Sequence, residues 1–150
     1  MNPVLSVVVP VYGCAPCLHA LYDRVTKTLE ELVPAHEIVL VDDRAEDGTW
    51  DVICGLGAAD DRVRGVRLSR NFGQHAAITA GLAQARGEWV VVMDCDLQEP
   101  PEEIPQLWEA ALQGYDIVLG QRRETRLAWH RRVGSRTYYR LLRMFTGLPF

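Results

Sequence analysis

Long hydrophobic runs are missing from this 150-residue chain. That removes a bilayer-spanning helix, which needs about 20 consecutive apolar residues. The longest run, Val4 to Val11, has the length of a β-strand. No basic residue precedes it, so it lacks the charged start of a secretory signal as well. Cysteine is scarce, with Cys14, Cys17, Cys54 and Cys95 only. Four thiols do not make a dense disulfide framework, and a reducing cytosol is the default compartment. The chain shows no internal repeat and no low-complexity segment.

What is present is enough apolar material, 48% of residues, for one domain with a core. Charge is unevenly placed. Residues 1–120 hold 8 Lys/Arg against 19 Asp/Glu, whereas residues 121–150 hold 8 Arg against Glu124 alone. The two regions face different partners, or each other.

Apolar runs of strand length alternate with helical patterns. "LSVVVPVY" (5–12), "HEIVLVDD" (36–43), "VRGVRLS" (63–69), "EWVVVMD" (88–94) and "YDIVLG" (115–120) predict five strands. Between them, 15–32, 47–57, 73–85 and 101–114 predict helices, with Pro16 suited to a first turn and Gly87 to a stop. Consecutive apolar positions indicate strands covered on both faces. The β-α-β-α order predicts an α/β fold, an open and mostly parallel sheet with helices on both faces.

The polar residues then fall on one edge. Pro10-Val11-Tyr12, Asp42-Asp43, Asp94-Cys95-Asp96 and Gly120-Gln121-Arg122 all close predicted strands. Open parallel sheets bind ligands there, at a switch point in strand order. In an extended segment Asp94 and Asp96 point the same way and Cys95 the other. Two hard oxygen donors suit Mg²⁺ or Mn²⁺, and Mg²⁺ is commonly held by one or two carboxylates plus substrate phosphates. Gln98 adds a carbonyl or orients a water. The simpler alternative is that both acids cap a turn before the helix introduced by Pro100 and Pro101.

"SVVVPVY", "EIVLVDDRAEDGTW", "LSRNFGQHAAITAGLAQARGEWVVVMDCDLQEPPEEIP" and "YDIVLGQRR" resemble successive motifs of family 2 glycosyltransferases of the GT-A fold. The similarity points to the branch of polyprenyl- and dolichyl-phosphate sugar transferases and their bacterial lipid-linked relatives, enzymes of cell-envelope polysaccharide assembly. It runs from about Leu5 to Arg123. It implies a nucleotide-sugar-binding core over 1–123 and a basic amphipathic segment, the start of an acceptor- or membrane-facing part, over 124–150. Pro10 and Tyr12 would line the base, Tyr12 by stacking. Asp43 would accept from a base N–H, with Asp42 in support. Asp94, Cys95 and Asp96 would meet the nucleotide sugar, with Asp94, Asp96 and Gln98 on the metal, Mg²⁺ or Mn²⁺, and Arg122 near the diphosphate or sugar.

The implied reaction is inverting transfer from a nucleoside-diphosphate sugar to a lipid-phosphate or glycan acceptor. A hydroxyl acceptor would need a general base, and none is identified within residues 1–150, so the chain alone is expected to be incomplete for catalysis. Gly13-Cys14 stands where many relatives carry Asn-Glu, and Arg44-Ala45-Glu46 follows the acid pair in place of the commoner Gly- or Ser-containing turn. The first departure, the missing Glu, leaves the base identity open.

Other classes account for less. "CAPC" (14–17) is a C-x-x-C between strand and helix, the setting of a thioredoxin-like redox site, but it leaves the four strand-end acids without a role. Structural zinc would need two more ligands, of which His19 supplies one. "GLGAAD" (55–60) lies in or after a helix rather than in the first strand-to-helix turn, so a nicotinamide fingerprint fails. The tail "RRETRLAWHRRVGSRTYYRLLRMF" mixes Arg with aromatics near helical spacing. It suggests contact with an anionic membrane surface through 122–145, either in a peripheral enzyme at the cytoplasmic face or in a non-catalytic docking module. The acidic body argues against nucleic acid.

Overall fold

The computed structural model describes residues 3–120, nearly all of them in a compact unit that ends at Val118. Four parallel strands, β1 (Leu5–Val11), β2 (His36–Asp42), β3 (Val63–Arg67) and β4 (Trp89–Val92), form one sheet in the order β3-β2-β1-β4. The α/β class expected from the alternating pattern is the one found.

The two central strands are buried at all seven positions each. Their runs of Val, Leu and Ile fit a surface covered on both sides. Leu5, Val7, Val9 and Val11 pack with the buried residues of α1 (Leu18–Leu32) and α2 (Thr49–Ala59). Val8, on the opposite face, packs with Val39, Val41 and Ala77 of α3 (Gln74–Gln84). Helix α1 buries Leu18, Leu21, Val25 and Leu29, the three- and four-residue spacing of one helical face. Helix α3 instead shows the sheet small residues. A Cβ on Gly81 would run into the Val8 side chain and stand 3.0 Å from Val41 Cγ2, so only glycine lets the helix lie this close. After a 3-10 turn at Pro101–Glu103, α4 (Ile104–Ala111) closes the described fold. Arg24 of α1 grips Glu102 of that turn through Nε and Nη2, at 2.9 and 2.6 Å.

One buried charge organises the amino ends of the strands. Glu37 is 1% exposed. It accepts Ser6 Oγ at 2.7 Å, Arg86 N at 2.6 Å, and Arg86 Nε and Nη2 at 2.9 and 2.7 Å. Burial pushes its carboxyl upward, and the Ser6 and Arg86 hydrogen bonds outweigh that and hold it below the usual range.

The expected fifth strand does not form. Residues 115–120 carry no strand, and Ile117 and Leu119 are 79% and 85% exposed. Strand propensity is local, whereas a strand exists only where a neighbour supplies its ladder. Among the other elements, the fourth strand and the last helix fall furthest short of their expected lengths. The fourth strand pairs over four residues only, and the helix expected over 101–114 begins as the 3-10 turn and is α-helical for eight residues.

Candidate functional site

The chain steps outward from β1 through β2 to β3, then returns to place β4 on the other side of β1. That reversal leaves a crevice at the carboxyl ends of β1 and β4, where open α/β sheets hold ligands. A cleft of about 360 Å³ lies there, and Pro10, Tyr12, Asp43, Asp94, Cys95 and Asp96 all line it. Six of the residues singled out in the sequence are thus brought together.

Their surroundings differ. Tyr12, just past β1, is 61% exposed and presents its ring at the cleft. Asp43, just past β2, is buried, and each carboxylate oxygen accepts a backbone N–H: Phe72 N to Oδ1 and Gly73 N to Oδ2, both at 2.8 Å. Asp42 lies outside the cleft lining. Its Oδ1 accepts Ala45 N at 2.8 Å, and Arg67 Nε stands 3.0 Å from Oδ2 without hydrogen-bond alignment. Asp42 thus shapes the turn after β2, in which Arg44 takes a left-handed φ of 62°.

The loop after β4 carries the acid pair. Asp94 is half-buried and accepts Gln74 Nε2 on Oδ1 at 2.6 Å. Asp96 is exposed and accepts Gln98 N on Oδ1 at 3.0 Å, which closes a tight turn around Leu97 at φ 60°. A left-handed bulky residue is uncommon, and it sits directly beside the paired acids. Gln98 itself is exposed and does not line the cleft. Arg122 lies outside the described residues, as does the whole basic tail.

Cys95 departs from expectation. The strand ends at Val92, so side-chain alternation does not extend through 94–96. Cys95 faces the cleft wall and is joined by a disulfide to Cys14, 81 positions earlier and also in the lining. Cys17 is free. The C-x-x-C redox alternative therefore loses its pair.

Sequence reasoning gave no role to Asn71, Gly73 or Gln74, which line the same cleft. Gly73, at φ 92°, was the available signal, a glycine between a strand end and a helix start. Three carboxylates line the cleft and no Lys, Arg or His among the described residues does. Nor do the described residues contain a group of three or more His, Cys, Asp or Glu able to hold a metal unaided. A second cleft, of about 420 Å³, opens near the amino ends of the strands. Both arginines of its lining are engaged, Arg62 with Glu30 and with Asp60 outside the lining, and Arg86 with Glu37.

A switch-point cleft lined by acids is a candidate ligand site of an open α/β sheet, and comparison with known proteins gives the family. Residues 6–149 match glycosyl transferase family 2, and the chain belongs to it. It is 43% identical over 146 residues to an undecaprenyl-phosphate 4-deoxy-4-formamido-L-arabinose transferase of Aeromonas hydrophila, covering 97% of this chain and 45% of that protein. The chain therefore spans less than half the length of that relative. Among solved structures, it resembles the mannosyltransferase PcManGT of Pyrobaculum calidifontis in complex with GDP-Man and Mn²⁺. The TM-score is 0.59 at 24% identity, over 73% of this chain and 32% of that one. It also resembles S. aureus TarS 1-349 in complex with UDP, with a TM-score of 0.50 at 26% identity, over 64% and 28%. These neighbours share the GT-A fold.

Proposed function

We propose that this chain is the donor-binding part of an inverting glycosyltransferase that moves a sugar from a nucleoside diphosphate to a polyprenyl phosphate. The observation that carries it is the gathering of Tyr12, Asp43, Asp94 and Asp96 in one cleft at the switch point of the sheet, the place where open α/β sheets hold ligands. Asp94 and Asp96 offer two hard oxygen donors, which suits Mg²⁺ or Mn²⁺ when phosphate oxygens complete the shell. When bound, such an ion neutralises charge on the departing diphosphate.

The chain's own residues bind and orient. Tyr12 offers an exposed face to the base. Asp43 fixes the 72–73 loop and keeps lone pairs for a base N–H. Asp94 and Asp96 hold the diphosphate end, and Arg122 would approach it from the following segment. In the transfer, an acceptor oxygen bonds to the anomeric carbon from the face opposite the diphosphate. The bond from that carbon to the diphosphate oxygen breaks, and the nucleoside diphosphate leaves with the electron pair. A phosphate acceptor is already anionic and needs no base. The undecaprenyl-phosphate named in the relative's description supports this acceptor class. The basic segment from 124 onward would meet the acceptor phosphate or an anionic membrane surface, placing the enzyme at the cytoplasmic face.

A thermal-shift panel of UDP-, GDP- and CDP-sugars with and without Mn²⁺ tests this. Stabilisation by one nucleotide series, only with metal and lost in Asp96→Ala, is expected. The apo variant should still fold, losing at most the modest contribution of the exposed Gln98 N–H bond to Asp96, about 1 kcal/mol. No response to any nucleotide with metal would refute the proposal.

A further inference from the structure

Helix α3 starts between two strand ends that carry acids. Asp43, after β2, accepts the N–H groups of Phe72 and Gly73 at 2.8 Å each, which sets where the helix begins. Gln74 is its first residue, and side chains on a helix lean toward its N-terminus. The Gln74 side chain is thereby aimed at the cleft, where Nε2 donates to Asp94 Oδ1 at 2.6 Å. The depth of the helix is set independently by Ala77 and Gly81 against Val8 and Val41.

We infer that Gln74 is a positioning residue for Asp94. By holding Oδ1 it fixes the carboxylate plane so that the group meets a divalent cation arriving with a diphosphate. The inference rests on the donor-site proposal above. Asp94 follows a four-residue strand in a segment without regular structure, so no sheet ladder fixes its backbone and side-chain contacts set the carboxylate's direction. The donor is suited to the task. A neutral amide orients the carboxylate without adding a positive charge to compete with the cation, as Lys would. It also couples the two ends of the cleft, since the loop that Asp43 anchors is continuous with the residue that orients Asp94.

The test uses the full chain and two variants, Gln74→Leu, which removes the donor, and Gln74→Asn, which keeps an amide but shortens its reach. Gln74 is exposed, so both should fold. Mn²⁺ uptake is followed by electron paramagnetic resonance with UDP and then GDP present, and apo stability by urea unfolding. Groups that orient metal ligands typically contribute 10–100-fold to metal affinity. Both variants should therefore bind Mn²⁺ at least tenfold more weakly with an unchanged urea midpoint. Affinity within twofold of the parent would overturn the inference and leave the donor site standing. Weaker binding matched by an equal loss of apo stability would also overturn it, by showing a merely structural role. A parent that takes up no Mn²⁺ with either nucleotide would overturn the donor-site proposal and this inference together.

Discussion

Asp43→Asn separates holding the loop from touching a ligand, because its effect can be read with no ligand present. Each carboxylate oxygen now accepts one backbone N–H at 2.8 Å, from Phe72 and from Gly73. An amide has one acceptor oxygen, so whichever way it turns, its NH₂ faces an N–H. One charge-assisted hydrogen bond is lost and the other becomes neutral. Bonds of this kind contribute about 1.5–3 kcal/mol each. Phe72 is half exposed, so water can satisfy part of what is orphaned, and the net loss should be about 2 kcal/mol. For a chain of this length that lowers Tm by about 4–8 °C. Urea unfolding of the apo protein followed by circular dichroism, with a thermal scan alongside, measures both. A change below about 0.5 kcal/mol would refute the reasoning, since the 72–73 loop would then not depend on Asp43.

Gly81→Ala should destabilise by up to about 2 kcal/mol, because overpacking against Val8, toward the upper end of about 1–3 kcal/mol, outweighs about 1 kcal/mol of helix propensity; a urea midpoint at or above the parent's would contradict the close approach of α3. Burial, followed by the nearby Arg62 charge, holds the buried His36 imidazole below its usual 6.5. The unfolded chain then takes up a proton first as pH falls, so stability should rise with pH and be lost from about 6.5 downward. His36→Gln should flatten that part of a urea-midpoint profile, and an unchanged slope would locate the titration elsewhere. Alkylation of the native protein without reductant should label Cys17 and Cys54 and spare Cys14 and Cys95, with all four labelled after reduction. Losing a link across 81 residues should cost up to about 4 kcal/mol in a loop-closure estimate, and full labelling of unreduced protein would show the pair open.

Much of this architecture could be read locally. The Val-rich runs of β1 and β2 announce strands covered on both faces, and the acids that close β2 and β4 announce a site at the sheet's carboxyl edge. What escaped was non-local. "YDIVLG" has strand composition, yet composition does not supply a paired neighbour, and 115–120 stays out of the sheet. The loop-anchoring role of Asp43 was hidden because its N–H partners lie 29 and 30 positions away. For Cys14 the only nearby partner on offer was Cys17, in the disfavoured redox alternative, whereas the fold brings it to Cys95 by placing β4 beside β1. Gln74 carried no signal at all until α3, lying on β1 and β2, brought its first residue to the loop after β4. In each case the missing fact was which distant segment the fold delivers, which depends on strand order rather than on nearby residue types.

The central claim, that a nucleoside diphosphate and a divalent cation meet at the carboxyl edge between β1 and β4, is tested most directly by paramagnetic broadening. ¹⁵N-labelled protein is titrated with substoichiometric Mn²⁺ in the presence of UDP and, separately, GDP, and amide signals are followed residue by residue. The account predicts that with one of these nucleotides the first amides to vanish are those of Asp94 to Gln98, with Tyr12, Gly73 and Gln74 next. Those of Glu37, Arg62 and Arg86, near the amino ends of the strands, should persist. Broadening centred on Glu37, Arg62 and Arg86, or no localised broadening with either nucleotide, would contradict it.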